Sequence, residues 1–296
     1  MLVKILDKRN IFSLIGIILL YLFGMNWAHP EVLGSATKTY SLVFYVLGVL
    51  VGLIQSLRNT YFNQNLYGLF CFLCWLFAFS YFGNDSLKYN LVFLVINLLM
   101  GVLIRFPRDV GKTYGLGMGL IFGMLVTVFP LSVLLIPFFI HLSILWRTSI
   151  VGNFFLGAFT FFFGWYQLDF LLELKFPFQE YFSQDFYFSF LCTENKFIPI
   201  AVLSLILVLA FIHYLNKGSL LSEYDQKVSQ VYFYFIFYWL FLFIFIYKNH
   251  HQNLLLLSLP FSFVLGKYVE SIFSKFWKEV ILWLILVCSI AFHFIP

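Results

Sequence analysis

Apolar side chains run unbroken over long stretches of this chain, as in 230–247 (QVYFYFIFYWLFLFIFIY), and polar residues collect in short intervals between the runs. A strand of an outer-membrane barrel would instead alternate apolar and polar positions over about ten residues, because one face meets lipid and the other a polar lumen. Unbroken runs read as helices, since backbone groups in lipid must be satisfied within their own segment. The pattern predicts segments at 11–27, 39–56, 66–82, 89–104, 114–129, 131–146, 150–172, 197–214, 230–247, 253–268 and 278–295. The pair around Pro130 is read as two helices, because roughly 32 residues rising about 1.5 Å each would overshoot a hydrocarbon core of about 30 Å. The expected fold is all-α: a polytopic transmembrane helix bundle of about eleven helices, forming a single integral membrane domain over residues 1–296.

The charges orient this map. With the N-terminus cytoplasmic, internal segments carry Lys4, Lys8, Arg9, Arg58, Arg105, Arg108, Lys112, Arg147, Lys217, Lys227, Lys267, Lys275 and Lys278. External segments carry Lys38, Lys88, Lys175, Lys196 and Lys248. That asymmetry is the one the positive-inside rule expects, and it places the C-terminus outside. Merging the two segments at Pro130 would reverse every later loop and erase the bias. Lys4, Lys8 and Arg9 ahead of an apolar run resemble the start of a signal peptide, but Trp27-Ala28-His29-Pro30 offers no small-x-small site. The first helix is therefore expected to be retained.

Composition removes whole classes of function. The chain is 62% hydrophobic, 23% aromatic and only 10% charged. Ordinary soluble domains are about 45–50% apolar and about 25% charged, so the excess apolar surface is expected to face lipid. Soluble enzymes, nucleic-acid binders and disulfide scaffolds are excluded, and the net charge of +5 is read as a topology signal. The bilayer is the first partner, and the expected address is the inner membrane. Cys71, Cys74 and Cys288 fall inside segments and Cys192 outside, so no intramolecular disulfide is expected.

Candidate chemistry is sparse. No predicted span carries Asp, Glu, Lys or Arg near its middle, which counts against an ion-coupled transporter. Asn97 and His141 are the deepest polar residues and read first as helix–helix contacts. Gly115, Gly119 and Gly123 recur every four residues, a spacing that lets two helix backbones approach closely. Outside, Glu31, Asp169 and His251 are the candidate catalytic set, a carboxylate–imidazole combination suited to acid–base chemistry or a divalent metal. The external loop 173–196 interleaves Phe176, Phe178, Tyr181, Phe182 and Tyr187 with Glu180 and Asp185, as an interfacial anchor or a substrate cover would. Neither a cofactor nor a metal follows from the residues.

From about residue 90 the chain resembles a family of multi-pass inner-membrane proteins of the Bacteroidota. The resemblance rests on the glycine-rich helix Tyr114–Leu120, the turn Val128-Phe129-Pro130-Leu131, Arg147 with the Gly152–Gly157 stretch, and the later His251–Pro260 and Lys278–Leu282. It implies an address and an architecture, with a domain of unknown function. A more distant likeness is to GT-C type lipid-linked sugar transferases, in which Glu31 would fill the role of the base. Three functions are therefore expected, in this order. The first is a non-enzymatic subunit or scaffold of cell-envelope biogenesis, with other membrane proteins as partners. The second is an enzyme or handler of a polyprenyl-linked glycan, and the third a facilitative transporter.

Overall fold

The computed structural model describes residues 2–7, 10–28, 36–58, 65–80, 82, 86–105, 112–145, 150–172, 197–217, 223–245 and 254–294. Among them the structure is helical, with no strand. The helices are α1 (Leu2–Leu6), α2 (Ile11–Ala28), α3 (Ala36–Arg58), α4 (Tyr67–Phe79), α5 (Ser86–Arg105) and α6 (Lys112–Val128). A 3-10 turn (Pro130–Leu135) leads into α7 (Ile136–Leu145). Then follow α8 (Val151–Leu172), α9 (Phe197–Lys217), α10 (Glu223–Phe245), α11 (Ser258–Ser271) and α12 (Lys275–Phe294).

Each of the eleven apolar segments falls on one of α2–α12, and α1 has no counterpart among them. Among the described residues, three helical stretches are long and apolar enough to cross a membrane: Ile11–Ala28, Thr39–Leu57 and Ser86–Ile104. Tyr67–Phe79, Thr113–Val128, Ser132–Leu145 and Ala201–Asn216 are apolar but shorter. Two boundaries move for local reasons. The helix expected at 253–268 begins at Ser258, because the chain first turns at Leu256–Leu257, where the Leu257 N–H donates to the Leu254 carbonyl at 3.2 Å. Pro260 then sits in the first turn, where its missing N–H would have had no helical partner. The helix expected at 230–247 begins at Glu223, whose carboxylate and that of Asp225 suit the positive end of the helix dipole.

Pro130 separates two helices. Phe129 leaves helical geometry at φ −138° and ψ 82°, and the chain reverses through the 3-10 turn. Phe122 on α6 and Phe139 on α7 are consequently edge-to-face with ring centroids 5.0 Å apart. In one continuous helix, 17 residues would separate them by roughly 25 Å.

At the centre lies a pair of short helices. Every residue of α4 except Phe77 is buried, as are Ser258 to Gly266 and Val269 of α11, and the two helices pack on each other. Trp75 joins them: its ring lies 4.6 Å from Phe261 and 4.7 Å from Phe79, and its indole N–H donates to the Leu254 carbonyl at 2.7 Å. Phe79 extends the contact to Phe292 on α12 at 4.8 Å. Around this pair, α3–α4–α5 and α6–α7–α8 repeat one arrangement, in which two long helices flank a short one and pack directly on each other.

Replacing Trp75 by Phe keeps most of the ring but removes the donor. The Leu254 carbonyl then loses its 2.7 Å donor in a buried position and keeps the longer Leu257 bond. The expected cost is about 1–3 kcal/mol, or a fall of roughly 2–4 °C in Tm per kcal/mol. Thermal unfolding of Trp75→Phe in detergent micelles measures it, and an unchanged Tm would show that the Leu254 carbonyl finds water instead.

Candidate functional site

The sequence-derived catalytic set falls largely outside the described residues. Glu31 and His251 lie outside them, as do the loop 173–196 and Cys192. Asp169 is in α8, with its side chain outside the description. Cys71, Cys74 and Cys288 are buried free thiols. Among the described residues, no group of three or more His, Cys, Asp or Glu side chains is placed to hold a metal ion. His141 packs its ring on Tyr234 at 4.4 Å, and its Nδ1 is 3.4 Å from the Tyr238 hydroxyl.

Polar side chains do gather along the seam between α3 and α5. Ser41 Oγ donates to Ser86 Oγ at 2.9 Å, and Asn90 Nδ2 donates to Ser41 Oγ at 2.8 Å. Asn97 Nδ2 donates to the Gly48 carbonyl at 3.1 Å, and Gln55 Nε2 donates to the Asn97 carbonyl. Positions 41, 48 and 55 are two helical turns apart, as are 90 and 97, so one stripe of α3 meets one stripe of α5. The partners advance in the same direction along both helices, which makes them parallel. The amide oxygens of Gln55, Asn90 and Asn97 are buried without a hydrogen-bond partner. Sequence reading singled out Asn97 as an isolated polar residue and did not link it to Gln55. The heptad spacing that joins them to Ser41 and Asn90 was the signal it missed.

Charged groups meet at one end of the bundle. Glu279 on α12 accepts from the N–H groups of Leu2 and Val3 at 2.7 and 2.9 Å, and so holds α1 across that end. The Tyr67 hydroxyl donates to Asp7, the Leu66 N–H donates to the Leu6 carbonyl at 2.8 Å, and the Lys278 ammonium lies 5.3 Å from the Tyr67 ring centre. On α11, Lys267 pairs with Glu270. On α10, Lys227 bonds Glu223 at 2.7 Å and draws its carboxyl below the usual range by that hydrogen bond and its charge.

A cavity of about 320 Å³ lies beside Trp75, among α4, α9, α10 and α11. Its walls are aliphatic and aromatic, with Ser204 the only hydroxyl in the lining. Such a space can hold hydrocarbon, and its lining carries no ionisable side chain to act as acid or base or to activate the Ser204 hydroxyl.

The model of a family of unknown function, DUF6427, matches residues 1–296. The chain belongs to that family. No curated protein and no solved structure matches it.

In this DUF6427 chain the three spaced glycines lie where α6 crosses α8. A Cβ on Gly119 would overlap the Phe154 carbonyl oxygen and stand 2.8 Å from the Ala158 nitrogen. One on Gly123 would stand 2.8 Å from the Phe161 Cβ, and one on Gly115 would strike Ile150. From the other helix, Gly157 faces Leu116, Gly119 and Leu120 equally closely. These obstacles are largely backbone, which cannot rotate away. Gly117, on the same helix, has nothing within 4 Å. Gly119→Ala is therefore expected to destabilise the protein by about 1–3 kcal/mol through overpacking. Gly117→Ala should be neutral or stabilising by up to about 1 kcal/mol, from helix propensity alone. Paired melting curves in detergent test the contrast, and equal effects at the two positions would contradict the crossing.

Proposed function

We propose that this chain is a non-enzymatic subunit or scaffold of a cell-envelope assembly in the inner membrane of a bacterium of the Bacteroidota. In this reading it has eleven spans, a cytoplasmic N-terminus and an external Pro296. The observation that carries the reading is how the buried polar side chains are used. Tyr21 with Tyr45, Ser41 with Ser86 and Asn90, Asn97 with Gly48, Gln55 with Asn97, and Trp75 with Leu254 each join one part of the helical bundle to another. In an active site polar groups converge on a space that a substrate can enter; among the described residues these buried polar groups converge on one another.

Two further observations support the membrane reading and its sidedness. α2 is apolar throughout, buries only Tyr21 and exposes Ile11, Phe12, Leu19, Leu20 and Phe23, an arrangement suited to lipid contact. Asp7, Tyr67, Lys278 and Glu279, all assigned to the cytoplasmic ends of their segments, meet at one end of the bundle.

Reporter fusions after Arg147 and after Pro296 should report opposite sides of the inner membrane. Cross-linking in intact membranes should give one stoichiometric neighbour that survives mild detergent. Reporters on the same side would overturn the topology. A chain found only as a free monomer would overturn the subunit reading.

A further inference from the structure

The cavity beside Trp75 has a shape that its volume does not convey. α9 and α10 touch at one end, where Tyr214 stacks on Phe233 at 4.0 Å and Phe211 meets Phe233 edge-to-face at 5.3 Å. Further along, towards Ser204 on α9 and Leu240 on α10, the cavity lies between them, backed by Trp75 and Phe79 of α4 and by Phe261 and Val264 of α11. It is a slot, closed by aromatic rings at one end and open at the side. Val208, Phe237 and Leu240 line it and are also 54%, 65% and 43% exposed, so the mouth is continuous with the apolar outer surface of the two helices.

We propose that this slot binds one acyl chain of a bilayer phospholipid, inserted sideways between α9 and α10. The proposal rests on the reading of the chain as membrane-embedded. Three features select the occupant. The lining gives water little to bond, because the Trp75 indole N–H is already committed to the Leu254 carbonyl and the Ser204 hydroxyl sits at the exposed mouth. About 320 Å³ is near the lower limit of ligand pockets, which suits a single flexible hydrocarbon chain. A partner helix, about 10–12 Å across, or a long polyprenyl chain would need far more room. Left empty, the slot would deprive Trp75, Phe261 and Val264 of dispersion contacts on one side, and a lipid tail restores them. Because the Tyr214–Phe233 stack closes one end, the chain enters with its methyl terminus towards that stack. Its headgroup then lies at the end where α9 begins and α10 finishes, so the lipid is drawn from that leaflet alone.

The test uses the full-length protein reconstituted in phosphatidylcholine vesicles with a trace of phosphatidylcholine carrying a diazirine on one acyl chain. After irradiation, peptide mass spectrometry locates the adducts. Phe261 and Val264 are buried and out of reach of lipid merely surrounding the bundle, so adducts on them are the expected result. Phe12 and Phe23 on the exposed side of α2 report that surrounding lipid. Leu207→Trp should fill the slot and lower the Phe261 and Val264 adducts by roughly tenfold, the change that about 1.4 kcal/mol produces, with the α2 adducts unchanged. Should Leu207→Trp fail to fold, Ser204→Trp blocks the mouth from an exposed position and should give the same loss. Adducts on α2 with none on Phe261 or Val264 would overturn the proposal. So would labelling of those two residues by a diazirine polyprenyl phosphate but not by the phospholipid. Failure of the side-reporting fusions would bear on the eleven-span topology and leave the wall adducts as a separate observation.

Discussion

The arrangement depends on a pair of short helices buried on almost every side. α4 and α11 expose almost nothing, and a helix in that position has little water to pair with any backbone group left over at its ends. The turn before α11 is the weak point, since the Leu254 carbonyl there falls outside a regular helix. The Trp75 N–H supplies the donor, and the indole ring fills the adjoining space against Phe261 and Phe79. A single side chain thus satisfies a backbone acceptor and sets the distance between α4 and α11. The α12 contact through Phe292 and the slot between α9 and α10 are both built outward from that point.

The two flanking units solve one problem by opposite chemistry. In the membrane-embedded reading, lipid tails are as apolar as the helix surfaces they meet, so helix association draws its specificity from packing or hydrogen bonds. α6 and α8 use packing: Gly115, Gly119, Gly123 and Gly157 remove side chains until backbone meets backbone. α3 and α5 use hydrogen bonds from Ser41, Asn90, Asn97 and Gln55, with Gly48 and Gly101 making room for Phe93 and for Gln55 itself. In both units the long helices are parallel, which requires the chain to return between them. Short α4 and α7 make that return.

The helical segments were legible as long unbroken apolar runs bounded by polar intervals, and the turn at Pro130 was legible because two such runs meet at a proline, which cannot continue a helix. The depth of each helix was not. α2 and α4 are equally apolar, yet α2 buries Tyr21 alone and α4 buries all but Phe77. A helix apolar on every side has no stripe to mark its inner face, so periodicity gives no signal. α1 escaped notice for a related reason. Its five residues are too few to form a period, and its place is fixed by Glu279, nearly the whole chain away. Among the site residues, the glycine spacing could be read because four-residue repeats map directly onto one helix face. Glu31, Asp169 and His251 were grouped only by their assignment to one side of the membrane, and sidedness fixes no distance between loops.

The α3–α5 seam shows what that choice of chemistry costs. Each amide there directs its N–H groups at the opposite helix or hydroxyl, leaving the oxygens of Gln55, Asn90 and Asn97 buried and unpaired. An unpaired acceptor in a low-dielectric interior opposes stability by about 1–3 kcal/mol, while a hydrogen bond between helices returns about 1 kcal/mol, or about 0.6 kcal/mol on average if the bundle is membrane-embedded. The seam is therefore not explained by net affinity between the two helices. It is explained by register. A slip of one residue would carry Ser41, Gly48 and Gln55 off the α5 stripe together and bury every amide with no partner at all. The polar residues raise the energy of wrong alignments more than they lower that of the right one. In a bundle whose surfaces are otherwise uniformly apolar, they supply the information that apolar packing alone lacks.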